Sequence, residues 1–489
     1  MASSLRVGRH RNPLFELSCT CRALRRFCVP RIFRFINLNL TPPAASVLPV
    51  MSNTRGVFFG HRGLDQPRLS AFLDTAEKLR DAYFDSEVVC LPAMLRLPAL
   101  EHLSVSKAAW DSIRSSLPVP KVLAPLRVLR LFTKGRAGML AHRVLDLSLE
   151  TLWIAELCPQ LRTHLEVLAL PAESVRVSLI TASSWPHLRE LFLYGCCPIL
   201  DAPLLQMFDM LPKLRAFTLA VAVARGEASL ILCPRNSRRS PDISGLRRLT
   251  LASTSPKDGI FVHVPPELEE LSLRDVPRFY ERRRWGSGTP LDRAYGTHVL
   301  SCGDVLSIFR TMPRLAALNH LELVVIEDEH ELDLLAYIAG SCSQLASFEF
   351  HCYRNVAEYD DLVNAPLAVP LDVLGKALAT FRSLRVVRLN IDLPWSEVTI
   401  SEHYDRWFAD GVTYAQTIAQ TIAWAVPWLD AVCVLVRDES NLHQWSMWTV
   451  DESCGDVQIR EFERLRGVQY KQTSVHPVSR AIDAYRSVG

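Results

Sequence analysis

The sequence predicts an α/β solenoid built from repeats, with short parallel strands on one side and helices on the outer face. Three observations predict it. A six-residue pattern of leucine, two variable residues, an apolar residue, one variable residue and an apolar residue recurs ten times in 489 residues. First leucines in neighbouring copies stand 22 to 27 residues apart in five cases, inside the roughly 20–29-residue period of leucine-rich repeats. Proline leads into six copies, at Pro98, Pro125, Pro186, Pro212, Pro266 and Pro313.

The copies begin at Leu100, Leu126, Leu165, Leu188, Leu214, Leu246, Leu268 and Leu318, with weaker versions at Leu345 and Leu384. Leu145-Asp-Leu147 reads as a degenerate copy in the gap from 126 to 165. A short strand turns alternate apolar residues into the core, so the variable positions project together on the concave face. Those positions include Glu190, Phe192, Tyr194, Arg248, Thr250, Glu270, Ser272, Arg274, His320 and Glu322. They are the candidate target-binding residues, expected to be exposed. After Leu188 the cycle continues with Leu204, Leu205, Met207, Phe208 and Leu211 at helical spacing. Pro212 then stops the helix, because it lacks an N–H and restricts the residue before it. Ordinary amphipathic helices would not keep such a period.

A single core stops growing near about 250–300 residues, so a chain of this length needs several domains or a repeat array. The expected organisation is a helical segment over 1–40, a solenoid over 41–428, and a C-terminal cap and tail over 429–489. Polar stretches at 221–245 and 276–300 read as solvated insertion loops. They carry Arg235, Arg238 and Arg239, then Arg278, Arg282, Arg283 and Arg284 beside Tyr280 and Trp285. Six of the ten tryptophans follow residue 390 (Trp395, Trp407, Trp424, Trp428, Trp445 and Trp448), as suits a cap over the last open core.

Composition excludes several classes. Lys and Arg total 55 against 52 acidic residues, a formal charge of +3, which is no footprint for a dedicated nucleic-acid or membrane binder. No apolar run long enough to span a bilayer occurs, because Pro427 and Asp430 break the best candidate. Of 13 cysteines, Cys90, Cys158, Cys342 and Cys433 occupy apolar positions and read as buried thiols in a reducing compartment. Cys19-x-Cys21 is too close and too isolated from histidine for a zinc site. Phosphate-loop, nucleophile-elbow, zinc-protease and dinucleotide fingerprints are missing, so neither a catalytic nor a cofactor site is expected. Asp328, Glu329, His330 and Glu331 form the densest acid–base cluster and read as a solvated turn.

In the N-terminal segment Leu14, Leu17, Cys21, Leu24 and Phe27 mark one face of a helix, Arg22, Arg25 and Arg26 the other, and Pro30 follows. This stretch resembles the second half of an F-box, with its leucine-serine-x-x-cysteine-arginine pattern. With the irregular repeats behind it, the chain resembles fungal F-box proteins that carry leucine-rich repeats. The resemblance implies the substrate-recognition subunit of a cullin-RING ubiquitin ligase. Leu14, Leu17, Cys21, Leu24 and Phe27 would then meet the adaptor subunit, and the concave face an unknown protein target. An F-box normally opens with a leucine-proline and a first helix, while about 13 residues precede Leu14. Adaptor capture by residues 1–489 is therefore expected to be weak. The alternative is a leucine-rich-repeat interaction protein with no ligase connection. The F-box reading predicts a cytoplasmic or nuclear protein; the arginine bias of the first 34 residues is also that of a mitochondrial presequence.

Overall fold

A computed structural model describes residues 35–37, 54–59, 76–87, 91–107, 119–121, 123–132, 148–237, 239–276, 278, 298–354, 369–391, 404–437, 443–451 and 458–464. The chain is α/β, with mostly parallel sheet, and divides into two compact units. The first comprises Met1–Lys134, Ser148–Ala169 and Lys471–Gly489, and the second Gly135–Leu147 and Leu170–Tyr470. Of the F-box-like segment, Leu14, Leu17, Cys21, Leu24 and Phe27 lie outside the described residues, as do Cys90, Leu145 and Leu147.

In the first unit β1 (Phe35–Asn37), β2 (Gly56–Phe59), β3 (Asp81–Glu87), β4 (His102–Lys107), β5 (Val128–Leu131) and the start of β6 (Val167–Pro171, of which Leu170 and Pro171 belong to the second unit) pair in parallel, each with the next. Helices α1 (Leu91–Met94) and α2 (Ser148–Leu161) occupy connections. In the second unit β7 (Glu190–Cys196), β8 (Ala216–Ala222), β9 (Arg248–Ala252) and β10 (Glu270–Arg274) continue the same way. Next come β12 (His320–Ile326), β13 (Ser347–Tyr353), β14 (Val386–Asn390) and β15 (Ala431–Arg437), all parallel. A two-residue β11 (Leu300–Ser301) adds to the end of β12. The last strands, β16 (His443–Asp451) and β17 (Gln458–Arg464), are antiparallel. The helices here are α3 (Val177–Thr181), α4 (Gln206–Asp209), α5 (Cys302–Thr311), α6 (Glu331–Ser341), α7 (Leu371–Leu378) and α8 (Tyr404–Ala425).

Each of the ten hexads carries a strand, which begins two residues after its first leucine. That leucine is buried in every copy. The register then lays equivalent positions side by side, so Leu249, Leu271, Leu321, Phe348, Val387 and Val432 form one apolar row. Two ring contacts fix which way the row faces. Phe217 of β8 packs edge-on against Phe208 of α4 at 5.2 Å, and Phe348 of β13 stacks on Phe381, just after α7, at 5.7 Å. The leucine rows thus face the helices, and the variable rows face away.

Some expectations need correction. The helix foreseen from Leu204 to Leu211 contracts to the four residues of α4, although Leu204, Leu205, Met207, Phe208 and Leu211 are all buried. Degenerate copies at Thr54-x-x-Val57 and Leu79-x-x-Ala82-x-Phe84 yield β2 and β3, because burial of Thr54, Val57, Leu79, Ala82 and Phe84 keeps the repeat logic where leucine is lost.

The stretch 221–245 is a solvated loop only in part, since residues 224–228 and 234–236 are exposed while others are anchored in the core. Val221 and Ala222 belong to β8, and Leu232 and Cys233 are 2% exposed. The Asp258 carboxylate holds the segment down by accepting from Leu232 N–H at 2.7 Å, Cys233 N–H at 2.9 Å and Ile260 N–H at 3.0 Å. Arg235 donates to the Pro256 carbonyl and Arg239 pairs with Asp209, so their charges are used within the chain. Gly195 illustrates a backbone requirement. Its φ is +106°, and a Cβ there would stand 2.4 Å from Glu173 Oε2, which accepts the Cys196 N–H at 2.9 Å.

Of the late tryptophans, Trp445 and Trp448 are buried on β16, and Trp428 donates to the Phe381 carbonyl at 3.4 Å. Trp424 is 65% exposed and does not serve as core. Trp395 lies outside the described residues, and so does the side chain of Trp407.

Candidate functional site

Strand alternation places all ten candidate target-binding residues on the face turned away from the helices. They fall into three rows across the second unit. Glu190, Arg248, Glu270 and His320 share the first row, with Ala216 between the first two. Phe192, Thr250, Ser272 and Glu322 share the second, which continues through Glu349 and Arg388. Tyr194 and Arg274 stand in the third, which His351 and Asn390 extend.

Exposure does not follow the expectation at four of them. Phe192, Ser272, Arg274 and Glu322 are buried, at 6, 7, 7 and 2%. Glu190, Tyr194, Arg248, Thr250, Glu270 and His320 are half-buried and reach solvent. Alternation names the face a side chain leaves from, but not what later segments lay over it. Arg278, from the second insertion, is itself only 6% exposed and pairs with Glu322.

The buried portion is a connected ion network. Glu322 Oε1 accepts from Arg274 Nη2 at 3.2 Å and from Arg278 Nη2, while its Oε2 accepts from Ser272 Oγ at 2.6 Å. Arg278 also meets Asp275 at 3.2 Å. Glu349 Oε1 is bonded to His351 Nε2 at 2.9 Å, and its Oε2 accepts from Arg388 Nη1 at 3.2 Å. Asn390 Nδ2 lies 3.2 Å from His351 Nδ1. Trp445 packs edge-on to that ring at 5.7 Å.

Burial alone would raise both carboxyls, but the charged neighbours prevail. Arg274, Arg278, His351 and Ser272 hold Glu322 far below the usual carboxylate range. His351 and Arg388 bring Glu349 down to about 2, against burial and the nearby charge of Glu322.

Ligand atoms of Glu322, Glu349 and His351 lie within 4.8 Å of one another, the one such group found among the described residues. The spacing would admit a metal ion, but the donors are already engaged. Asp275, Glu322 and Glu349 face Arg274, Arg278 and Arg388. A divalent cation would have to displace guanidinium groups from buried oxygens. The arrangement cross-links strands β10 to β14.

The half-buried row is chemically different. Arg248 Nη2 donates to Glu190 Oε1 at 2.5 Å across the intervening strand, and Glu190 Oε2 has no hydrogen-bond partner among the described residues. In the first unit the equivalent face carries Asp81 beside His102, 2.5 Å apart and each about one-third exposed.

The Asp328–Glu331 cluster is not merely a solvated turn. Asp328 accepts from Gly303 N–H and from His330 N–H, both at 2.9 Å, and so ties the starts of α5 and α6 together. Glu331 is 5% exposed, and burial, aided by Glu327 and Asp328, pushes its carboxyl up to about 7 despite the Cys352 thiol. Its one sequence signal was membership of an acidic run. Cys158, Cys342 and Cys433 are buried as expected, and burial pushes the first two thiols up to about 12.

A scan against models of known protein families finds no match for the chain, and a search of curated proteins finds no similar one. No helix among the described residues is long and apolar enough to cross a membrane.

Proposed function

We propose that the chain is a leucine-rich-repeat solenoid that binds another protein through the helix-free face of its second unit. One observation carries the reading. Glu190, Arg248, Glu270 and His320 are held in a single row by strand register and reach solvent as half-buried side chains of mixed charge. A fixed row of mixed charge suits recognition of a complementary protein segment, where charge pairing sets register and specificity.

The finer reading is that of a substrate receptor for a cullin-RING ubiquitin ligase, with Leu14, Leu17, Cys21, Leu24 and Phe27 meeting the adaptor. It rests on the resemblance of residues 14 to 38 to part of an F-box. Partners cross-linked to the full chain in its native cells should be lost on the paired reversal Arg248→Glu and Glu270→Arg, with the thermal transition retained. Retention of every partner would remove the row from the binding site. Purified adaptor separates the two readings. Weak capture that disappears with Leu17→Asp and Phe27→Asp supports the receptor, and no capture, even with a first F-box helix fused upstream, leaves an interaction protein without a ligase.

A further inference from the structure

The residue just before each repeat strand stands at the rim of the sheet, and the two units fill that rim differently. In the first unit its charges are paired across strands. Arg80 Nη1 lies 3.7 Å from Glu101 Oε1, and Arg127 Nε donates to Glu166 Oε1 at 2.8 Å. In the second unit Arg189, Arg215 and Arg247 precede β7, β8 and β9, with no carboxylate between them in the row. The Arg189 carbonyl accepts the Arg215 N–H at 2.7 Å and the Arg215 carbonyl accepts the Arg247 N–H at 2.8 Å, so the three are fixed neighbours. Glu269 ends the run, its N–H donating to the Arg247 carbonyl at 2.8 Å. Arg189 and Arg215 are exposed and Arg247 is half-buried, and none of the three has an ion pair among the described residues. Arg247 Nη1 donates to the Glu267 carbonyl at 2.9 Å, which supplies no counter-charge. Exposed Lys213, whose Nζ lies 3.4 Å from His187 Nδ1, adds a further cation two residues before Arg215.

We propose that this arginine rim is a docking surface for an extended segment of a partner protein rich in Asp and Glu. Neighbouring strands stand about 4.8 Å apart, so the three cations are rooted along a line of about 10 Å. Like charges on adjacent strands repel, and an anionic chain laid along them replaces that repulsion with attraction. An extended segment carries carboxylates on one side about every 7 Å. Long guanidinium side chains can meet that spacing and offer each carboxylate a pair of N–H donors. The rim lies beside the half-buried row of Glu190 and Arg248 but does not depend on it, and would stand if that row bound nothing.

Charge distribution favours this occupant over other anions. Single-stranded nucleic acid gains much of its affinity by stacking bases on aromatic faces. The positions one and three residues before β7, β8 and β9 hold no Phe, Tyr or Trp; they are His187, Arg189, Lys213, Arg215, Gly245 and Arg247. A single phosphate concentrates its charge at one point, whereas the arginines spread theirs along a line, which a run of carboxylates follows.

The test is fluorescence anisotropy of the full chain with a labelled peptide of alternating glutamate and serine. Binding is expected at low ionic strength and should weaken steadily as sodium chloride is added. Arg189→Glu with Arg215→Glu should weaken it by about tenfold or more, whereas Arg80→Glu with Arg127→Glu, which changes the net charge equally, should alter it by less than about twofold. Thermal melts check that each variant folds. If the first pair of reversals does not, Arg189→Gln with Arg215→Gln removes the same charges without adding carboxylates and should also lose binding. No binding by the unaltered chain, or equal losses for the two pairs of reversals, would overturn the rim as a docking surface. Tighter binding of a phosphoserine peptide or of oligothymidylate, each matched in charge, would overturn the acidic segment as its occupant.

Discussion

Arg248 and Arg274 stand on neighbouring strands, leave the sheet on the same face, and each pairs with a glutamate. From β7 to β9 such residues are half-buried, and the Arg248–Glu190 pair has side chains 33 and 20% exposed. In the second and third rows, from β10 to β14, the Arg274–Glu322 pair is 5 and 3% exposed and belongs to a buried set of ion pairs, while Glu270 and His320 in the first row of the same strands stay half-buried. One pattern of alternation therefore serves two physical ends. The first row displays charges, and the second and third rows spend them on holding strands together. Exposed pairs contribute little to stability, whereas removing one partner of a buried pair strands a charge in a medium that solvates it poorly.

The largest expected effect is at Arg274→Glu. The new carboxylate would face Glu322 in a buried site, with Arg278 the remaining cation beside them. Loss of one partner of a buried pair costs about 3–5 kcal/mol, and reversal should cost at least that. Denaturant unfolding should show a midpoint lowered far more than for Arg248→Glu. Equal shifts for the two would mean that the downstream network is as solvated as the upstream row.

A pH titration sharpens the contrast. The ordinary carboxyl value for Glu331 is 4.5, and the folded state holds it near 7. The folded state thus binds this proton more tightly than the unfolded chain between those values, and stability falls as pH rises through that window. Full ionisation should cost about 3 kcal/mol by pH 8. Glu331→Gln should remove that slope and be the more stable form at pH 8, by thermal unfolding. Glu349 behaves oppositely. Its carboxyl is depressed to about 2, so its contribution is intact above about pH 4.5 and fades as pH falls toward 2.

Smaller effects should follow where a single group anchors the first insertion. Asp258→Ala leaves the Leu232 and Cys233 N–H groups without their acceptor. A buried donor left unsatisfied costs about 1–3 kcal/mol. Amide exchange at those two positions should accelerate while that of β12 stays protected. Uniform acceleration would mean that the segment is integral to the core.

The sequence makes the strands legible because each hexad repeats one physical demand, a leucine buried before the strand and two apolar residues within it. Leu318, Leu321 and Leu323 show it plainly. The same residues reveal which face Glu322 leaves from, since alternation is local. Its burial was not legible, because Arg278 arrives 44 positions upstream and Glu349 on the next strand. Glu331 was hidden for a similar reason. Within an acidic run it reads as solvated, whereas burial in the fold, next to Cys352 of another strand, sets its environment. Patterns at short range report secondary structure, while ion networks depend on which strands become neighbours.

Arg248→Glu should have the smallest effect on stability and the most informative one on function. Its partner Glu190 is part-exposed, solvent screens the pair, and surface ion pairs are worth about 0–1 kcal/mol. Reversal places two carboxylates in one row, but the site is part-exposed and screened, so the melting temperature should move less than for Arg274→Glu. Binding should respond differently. If a partner pairs with this row, reversing one charge both removes an attraction and adds a repulsion, and association should slow most at low ionic strength. Surface plasmon resonance with a cross-linked partner, repeated over a salt series, measures that difference. A large loss of stability would place Arg248 with the downstream network. Unchanged stability with salt-independent, unaltered association would leave the upstream row without a role in recognition.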